Sequence, residues 1–452
     1  MGEGGPPACH PDQARNAAAV RKLSAMIVSA GLAGMALGNT ELSQIHKLPT
    51  SKLRPPFCLG PPVLSKSPVL SKPPVKHRPV PAFYAPRQES RMTTPNREPR
   101  LIVHSQHPFN AEPPTDQLRA AFLTPQAGFY VRSHGHIPML DPATHIVRVQ
   151  GLVETPLDLS IETLRRFPAR TVTATLQCAG NRRADLHRLR PVSGDPWAPG
   201  AIGNAEWTGV PLAEILRAAG APADPALHVA FDCADQCHAE GREFRFGASI
   251  PMPKALRPEV LLAYAINGDP LEPAHGAPVR MVVPGYAGVR SPKWLQTITV
   301  QHAPSDNPMQ ADDYKLFPPD LTKQSARPEH GLTINAMPVN SAICDPAPDA
   351  RLRPGATVVR GYATASDRAI ARVDVSADGG RIWQQATLEP NPSAPWSWTF
   401  WATTIDLPPG PHELAVRAWD AAGQTQPAQP DDTWNFKGYL SAAWHRVTVR
   451  VE

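Results

Sequence analysis

Long hydrophobic runs are missing from this 452-residue chain. In its first fifty residues one apolar run, Met26–Gly38, holds 13 residues, short of the about 20 that a spanning helix needs. A signal sequence is equally incomplete. Arg15, Arg21 and Lys22 precede the run, but no clear small-x-small cleavage site follows, and Arg21-Lys22 is not a twin-arginine pair. Cysteine is sparse: Cys9, Cys58, Cys178, Cys233, Cys237 and Cys344 are scattered along the chain, which excludes a small disulfide-stapled secreted domain. Cys233-x3-Cys237-His238 is too loosely spaced for a metal knuckle and no second pair follows, so thiols kept reduced in or near a core are expected. Such thiols favour a cytoplasmic compartment, with periplasm or an organelle as the alternatives if the N-terminal segment is a targeting peptide. A large charge of one sign is absent too. Lys+Arg 45 against Asp+Glu 40 leaves +5. Residues 1–100 hold 14 basic and 5 acidic side chains, a net +9, so the remaining body is net −4. With no basic face interleaved with aromatics and no recognisable module, a nucleic-acid partner is excluded.

Proline, by contrast, is abundant: 55 residues, of which 16 lie in 1–100 and 39 in the rest. Enrichment therefore survives removal of the tail. It favours loops and edge-rich β structure over helical bundles. Hydrophobic content of 42% with 19% charged residues is the balance of a globular protein, not of a disordered, collagen-like or polytopic chain. The length allows two or three domains.

Residues 51–100 carry 12 prolines and the repeat PVLSK at 62–66 and 68–72. Residues 1–99 therefore read as a Pro-rich disordered tail or targeting segment. Met92 stands just before the first globular-looking sequence, and mass spectrometry of the intact N-terminus would decide whether 1–91 belong to the mature protein. From 100 to 328 short strand-like runs alternate with Pro/Gly turns. HIVRVQGLV (145–153), VRMVVPGY (279–286) and LQTITVQ (295–301) read as strands. Ser160-Ile161-Glu162-Thr163-Leu164 starts a helix with Ser160 as its N-cap, and PLAEILRAAG (211–220) is a short amphipathic helix closed by Gly220. The mixture argues α+β. From 329 to 452 strands dominate: TVVRGYATA, ARVDVSADGGRIWQQATL, WSWTFWATTIDL, HELAVRAWDAAG and WHRVTVRVE. They suggest an all-β, immunoglobulin-like sandwich without the Cys…Trp…Cys pattern.

The sharpest segment is TLQCAGNRR (175–183). A strand-like run delivers Cys178 into a Gly-Asn turn followed by Arg182 and Arg183. An arginine pair beside a thiol lowers its pKa and favours the thiolate, which attacks or ligates a metal. A buried cysteine at a strand end with solvated arginines would look the same.

TLQCAGNRR closely resembles the cysteine motif of the sulfite oxidase family. FYVRSHG (129–135) resembles the family's arginine-bearing strand, and residues 261–300, LLAYAINGDP through PKWLQTITV, are similar to its pterin-binding stretch. DDYKLF (312–317) is similar to its active-site tyrosine segment, and WNFKGYLSAAWHRVTV (434–449) to the end of its dimerisation domain. The resemblance covers about residues 100–452, with the motifs in order. It implies a mixed α/β molybdopterin-binding domain (100–328), an immunoglobulin-like dimerisation domain (329–452), and a homodimer. The implied activity is oxidation of sulfite to sulfate by oxo transfer at a molybdenum-molybdopterin cofactor. Cys178 would be the protein's one metal ligand, a soft thiolate beside the sulfurs of the pterin. Tyr130, Val131, Arg132, Ser133, His134, Asp235, His275, Arg280, Ser291, Pro292 and Lys293 would contact the cofactor. Arg132, Arg183 and Lys437 would bind the oxyanion, with Tyr314 donating a hydrogen bond and Trp197 walling the pocket. Lys437 departs from the family's usual Arg, keeping the charge but losing the bidentate fork. Residues 1–100 lack the pattern of the haem domain that some vertebrate members carry, so the electron acceptor implied is oxygen or an external c-type cytochrome. The alternatives are a related molybdopterin oxidoreductase acting on another oxyanion or a sulfoxide, such as a nitrate reductase core, or a non-catalytic relative.

Overall fold

A computed structural model describes residues 100–239 and 241–452. The expected tail, 1–99, lies outside the described residues, as do Cys9, Cys58 and the PVLSK repeat. No helix among the described residues is long and apolar enough to cross a membrane.

Two five-stranded sheets build the first part of the chain. One is mixed and runs Leu157–Ser160, Ile146–Gly151, Leu295–Gln301, His228–Ala239, Arg242–Pro251 in spatial order, with Leu295–Gln301 parallel to Ile146–Gly151 and antiparallel to His228–Ala239. The second is antiparallel. Its path is Asp269–Pro270, Leu261–Ile266, Ile202–Pro211, Arg170–Gln177, and the short strand Arg280–Val282 also pairs with Leu261–Ile266. Alternating β-branched residues make these strands, and their apolar faces meet in one core: Val147, Val149, Ile298 and Val300 from the first sheet, Val210, Leu262 and Met281 from the second. Helix Leu212–Ala218 buries Leu212, Ile215 and Leu216 in the same core. Gly220, at φ +67°, turns the chain out of it. Ser160 caps Ile161–Leu164 by accepting from Thr163 N at 3.0 Å, as the sequence suggests. The run 279–286 is shorter as a strand than its pattern suggests, because Pro284-Gly285 ends pairing after Val282.

The C-terminal strands form a sandwich. A four-stranded sheet (Asn340–Asp345, Gly355–Thr364, Thr399–Leu407, Thr387–Glu389) faces a five-stranded one (Ala350–Leu352, His445–Val451, Gly410–Asp420, Ile370–Ser376, Gln384–Gln385). Val359, Trp401, Val373, Leu414, Val416 and Val447 fill the space between. The segment 371–388 is split: Ile370–Ser376 belongs to one sheet and Thr387–Glu389 to the other, with a turn at Gly379-Gly380 between them.

The outer face of the four-stranded sheet does not face solvent throughout. Ala342, Cys344, Tyr362, Trp398 and Phe400 pack with Leu118 and Ile202 of the first domain. This contact lies directly behind the strand that ends at Cys178: Thr175 N bonds Trp396 O at 3.0 Å, and Asn181 donates to the Tyr362 hydroxyl at 3.2 Å.

Candidate active site

Strand Arg170–Gln177 delivers Cys178 to the edge of a cavity. Separate segments of the chain line it. Tyr130, Arg132, Ser133 and His134 come from the extended 129–135 stretch, Asp235 from the long strand, and His275 from a short 3-10 turn. Arg280, Ser291, Pro292 and Lys293 follow, and Tyr314 closes the list. Twelve of the residues singled out in the sequence thus line one space. Val131, Trp197, Arg183 and Lys437 are not part of that lining, and Phe129, Phe246, Ala274, Gly288, Val289 and Trp294 are additional walls. Gly288 admits a close approach: a Cβ there would sit 2.9 Å from the Tyr130 hydroxyl.

The two arginines of the cysteine motif part ways. Arg182, at φ 64°, turns back into the protein, where Nε bonds Asp185 at 2.9 Å and Nη1 bonds Asn340 at 3.0 Å. Arg183 points the other way. It donates to the Gly438 carbonyl at 3.3 Å and the Asp195 carbonyl at 3.0 Å, and lies over the Tyr439 ring at 5.2 Å. The expectation that the neighbouring arginine pair activates the thiol therefore needs correction. Burial pushes the Cys178 thiol up, and the two cations that oppose this are Arg132 and Arg183. A thiolate at this position needs a positive centre of its own.

The cations of the cavity share one property. Arg280 gives its hydrogen bonds to the carbonyls of Met281, His275 and Ser291, at 3.3, 3.0 and 2.9 Å. Lys293 donates to the Ser133 hydroxyl at 3.1 Å and the Ala274 carbonyl at 2.8 Å. Arg132 donates to the Ser133 carbonyl and reaches Asn110 Oδ1 at 3.4 Å. Among the described residues none of the three forms an ion pair with a carboxylate. Burial pushes Arg280 down to about 10, and burial together with Arg280 pushes Lys293 down to about 7. His275 falls to about 3 for the same reasons, burial first and then Lys293. His134 is held neutral by burial and Arg132, and its Nε2 lies 2.8 Å from the Tyr314 hydroxyl. Asp235 is the one acidic lining residue. Burial pushes it up to about 6, and its Oδ1 is buried without a partner.

At the rim, Lys437 Nζ pairs with Asp313 at 2.6 Å, and Asp313 also accepts from the Tyr439 hydroxyl at 3.3 Å. Tyr439 stacks on Tyr314 with centroids 4.9 Å apart. Trp197 is fully buried beside Phe129, Leu176 and Cys178, and its indole N–H has no partner.

Residues 134–309 match the oxidoreductase molybdopterin binding domain, and 332–452 match the Mo-co oxidoreductase dimerisation domain. A sulfite oxidase of Gallus gallus is 43% identical over 362 residues, 78% of each chain. The chain belongs to the sulfite oxidase family. Within that family, a sulfite oxidase of Arabidopsis thaliana is 39% identical over 398 residues, covering 82% of this chain and 99% of its own. A nitrate reductase of Hordeum vulgare is 37% identical over 381 residues, but the match spans 42% of its length. The crystal structure of the sulfane dehydrogenase SoxCD from Paracoccus pantotrophus matches with a TM-score of 0.66 at 25% identity, covering 82% of this chain and 96% of that one. The protein is a sulfite oxidase-type molybdoenzyme.

The residues present fit a molybdopterin. Three buried cations without carboxylate partners suit a phosphorylated anion, the orphaned Asp235 Oδ1 suits a ring N–H, and a free buried thiol, Cys178, suits a soft metal. Cys233, Cys237 and Cys344 are likewise free and buried, and no cluster of three or more His, Cys, Asp or Glu that could hold a metal occurs among the described residues. Sequence reasoning missed Asp195, Asn110, Asp313, Trp294 and Tyr439. Asp313, Trp294 and Tyr439 fell inside quoted motifs, and nothing local marks Asn110 or Asp195.

Proposed function

We propose that this enzyme oxidises sulfite to sulfate at a molybdenum-molybdopterin centre held in the Cys178 cavity, with Cys178 as the protein's one ligand to the metal. The reading includes a catalytic domain of residues 100–328, a dimerisation domain of 329–452, a homodimer, and electrons passed to oxygen or an external c-type cytochrome. One observation carries it: a cavity that presents Arg132, Arg280 and Lys293 with no carboxylate paired to them, beside a free thiol. The cofactor, when bound, supplies the two-electron oxygen-atom transfer.

The chain's own residues bind and orient. Arg280 and Lys293 are the donors for the pterin's phosphate; Tyr130, Ser133, His134, Ser291 and Pro292 shape the slot beside the neutral His275, whose ring N–H goes to the Gln126 carbonyl. Val131 fixes the stretch by pairing its backbone with Ala111, and Asp235 accepts from the ring. Arg132 and Arg183 draw in the oxyanion, and Tyr314, whose hydroxyl is kept protonated by burial, donates a hydrogen bond to it. Lys437 stands at the entrance, its charge shared with Asp313, and Trp197 closes the apolar side. Such preorganised donors act without reorganising, which is where most of the protein's share of the rate arises.

Metal analysis of the purified protein, paired with sulfite oxidation using ferricyanide, cytochrome c and oxygen, tests the reading. A stoichiometric molybdenum content with sulfite-dependent reduction of one acceptor is expected; a protein that binds molybdenum yet leaves sulfite untouched would overturn it. Similarity to a nitrate reductase, together with Lys437 in place of the family's usual arginine, favours nitrate as the competing substrate, so nitrate reduction belongs in the same assay.

A further inference from the structure

An acidic residue stands behind the arginines that are to hold an anion. Asp195 lies in the loop after the cysteine motif, and Gly194 before it has φ +92°. A Cβ on Gly194 would come within 2.7 Å of Arg183 Nη1. Only glycine lets the chain wrap the guanidinium so closely. The turn presents the Asp195 carbonyl to Arg183 Nη1 at 3.0 Å.

The Asp195 side chain reaches the other arginine through an intermediary. Asn110, 2% exposed, donates from Nδ2 to Asp195 Oδ2 at 2.9 Å. Its Oδ1 accepts from Ser133 N at 2.8 Å and from Arg132 Nη1 at 3.4 Å. The amide is therefore clamped, with its acceptor toward Arg132 and its donors toward the carboxylate. A direct ion pair would occupy the Arg132 guanidinium. One interposed amide leaves Arg132 able to bind an anion while a full negative charge stands behind it. That charge acts at Arg132 and at Cys178 alike, favouring the protonated form of each.

We propose that Asp195 is a specificity-determining residue of the oxyanion pocket, whose carboxylate, coupled to Arg132 through Asn110 and to Arg183 through its own carbonyl, weakens the hold on dianions. The inference rests on the assignment of Arg132 and Arg183 to oxyanion binding. A fixed negative charge raises the energy of a bound anion in proportion to that anion's charge. Sulfate, a dianion, is disfavoured about twice as strongly, in free energy, as a monoanion in the same place. The arrangement thus weakens the retention of a dianion such as sulfate more than that of a monoanion in the same place.

The test is Asp195→Asn in the holoenzyme. This variant keeps an oxygen that accepts from Asn110 Nδ2 and leaves the backbone carbonyl for Arg183, so a residue that merely orders the loop would show no change in anion binding. The inhibition constant for sulfate should fall by roughly 3- to 10-fold, and that for chloride by about the square root of that factor. Both changes should shrink as ionic strength rises, and the KM for sulfite should fall by more than kcat changes. Unaltered sulfate and chloride constants, or equal shifts for the two anions, would overturn the proposal, whatever happens to Tm. Should the wild-type holoenzyme fail to turn over sulfite, the substrate assignment fails; titration calorimetry of sulfate into the same two proteins then still decides the role of Asp195.

Discussion

Buried charge is handled in opposite ways in the C-terminal sandwich and in the Cys178 cavity. In the sandwich every deeply buried carboxylate has its cation. Asp374 is held by Arg372 at 2.7 Å and Arg417 at 3.2 Å, and Asp420 by Arg368 at 2.6 Å. In the cavity the buried cations Arg132, Arg280 and Lys293 hold carbonyls, hydroxyls and an amide instead. Desolvating a charge is tolerated when a partner restores the lost interaction energy. The sandwich supplies that partner from its own chain. The cavity leaves the place for a ligand. Counting buried charges does not separate a structural network from a binding site; asking what neutralises them does.

The contrast can be broken most sharply at the thiol. Cys178→Ala should reduce sulfite oxidation by more than about 100-fold, the upper range for losing even an outer-shell metal partner, while circular dichroism and Tm stay close to those of the wild type. A fully active variant would remove the metal-ligand assignment. Next come paired and unpaired charges. Arg280→Met should lower molybdenum content by about 10-fold, yet leave the cofactor-free protein as stable or more so, because an uncompensated buried cation has gone. Asp420→Ala should do the reverse. It removes the acceptor of Arg368 Nε and of the Ala422 backbone N–H, costing about 2–3 kcal/mol in chemical denaturation with turnover per molybdenum unchanged. If both variants lose metal, or both lose stability, the two regions do not differ as stated.

Acid stability gives a finer comparison. Burial and Arg182 hold His445 down to about 3, and His275 falls equally low in the cavity. Between about 6.5 and 3 the unfolded chain takes up protons that these folded histidines refuse, so stability should decline as pH drops through that window. His445→Gln should flatten the decline by up to about 1.4 kcal/mol per pH unit, measured by urea denaturation at pH 7 and pH 5. An unchanged slope would mean that His445 is protonated in the folded state. The smallest effect is expected at the rim: Lys437→Arg should change the KM for sulfite by a few-fold and kcat less, since the charge persists and Asp313 already shares it. Identical steady-state constants would place Lys437 outside the pocket's field.

Much of this was legible along the chain because chemistry here is concentrated in contiguous segments. FYVRSHG and 261–300 each bring several contacts together, TLQCAGNRR brings the thiol, and eleven of the residues that these segments and DDYKLF suggest line one cavity, with Asp235 as the twelfth from outside them. Strand periodicity was equally readable, as were Ser160 as a cap and Gly220 as a helix stop. The direction of a side chain after a turn was not. Arg182 and Arg183 are adjacent in sequence, yet the left-handed conformation at Arg182 sends one guanidinium to Asn340 and the other to Asp195. Asn110 and Asp195 carry no local signal either, being 85 residues apart and joined by a single hydrogen bond.

By itself the sequence determined the family and the order of the two β-rich parts, and it singled out Cys178 as the candidate thiol, because each is written in residues that lie next to one another. The tertiary structure decided which charges are neutralised and which are left for a ligand. It also decided that the thiol is raised and not lowered by its surroundings, and that an acidic residue stands behind Arg132. Those outcomes depend on desolvation and on distances between segments remote in sequence, and both come into being only when the sheets close over the cavity.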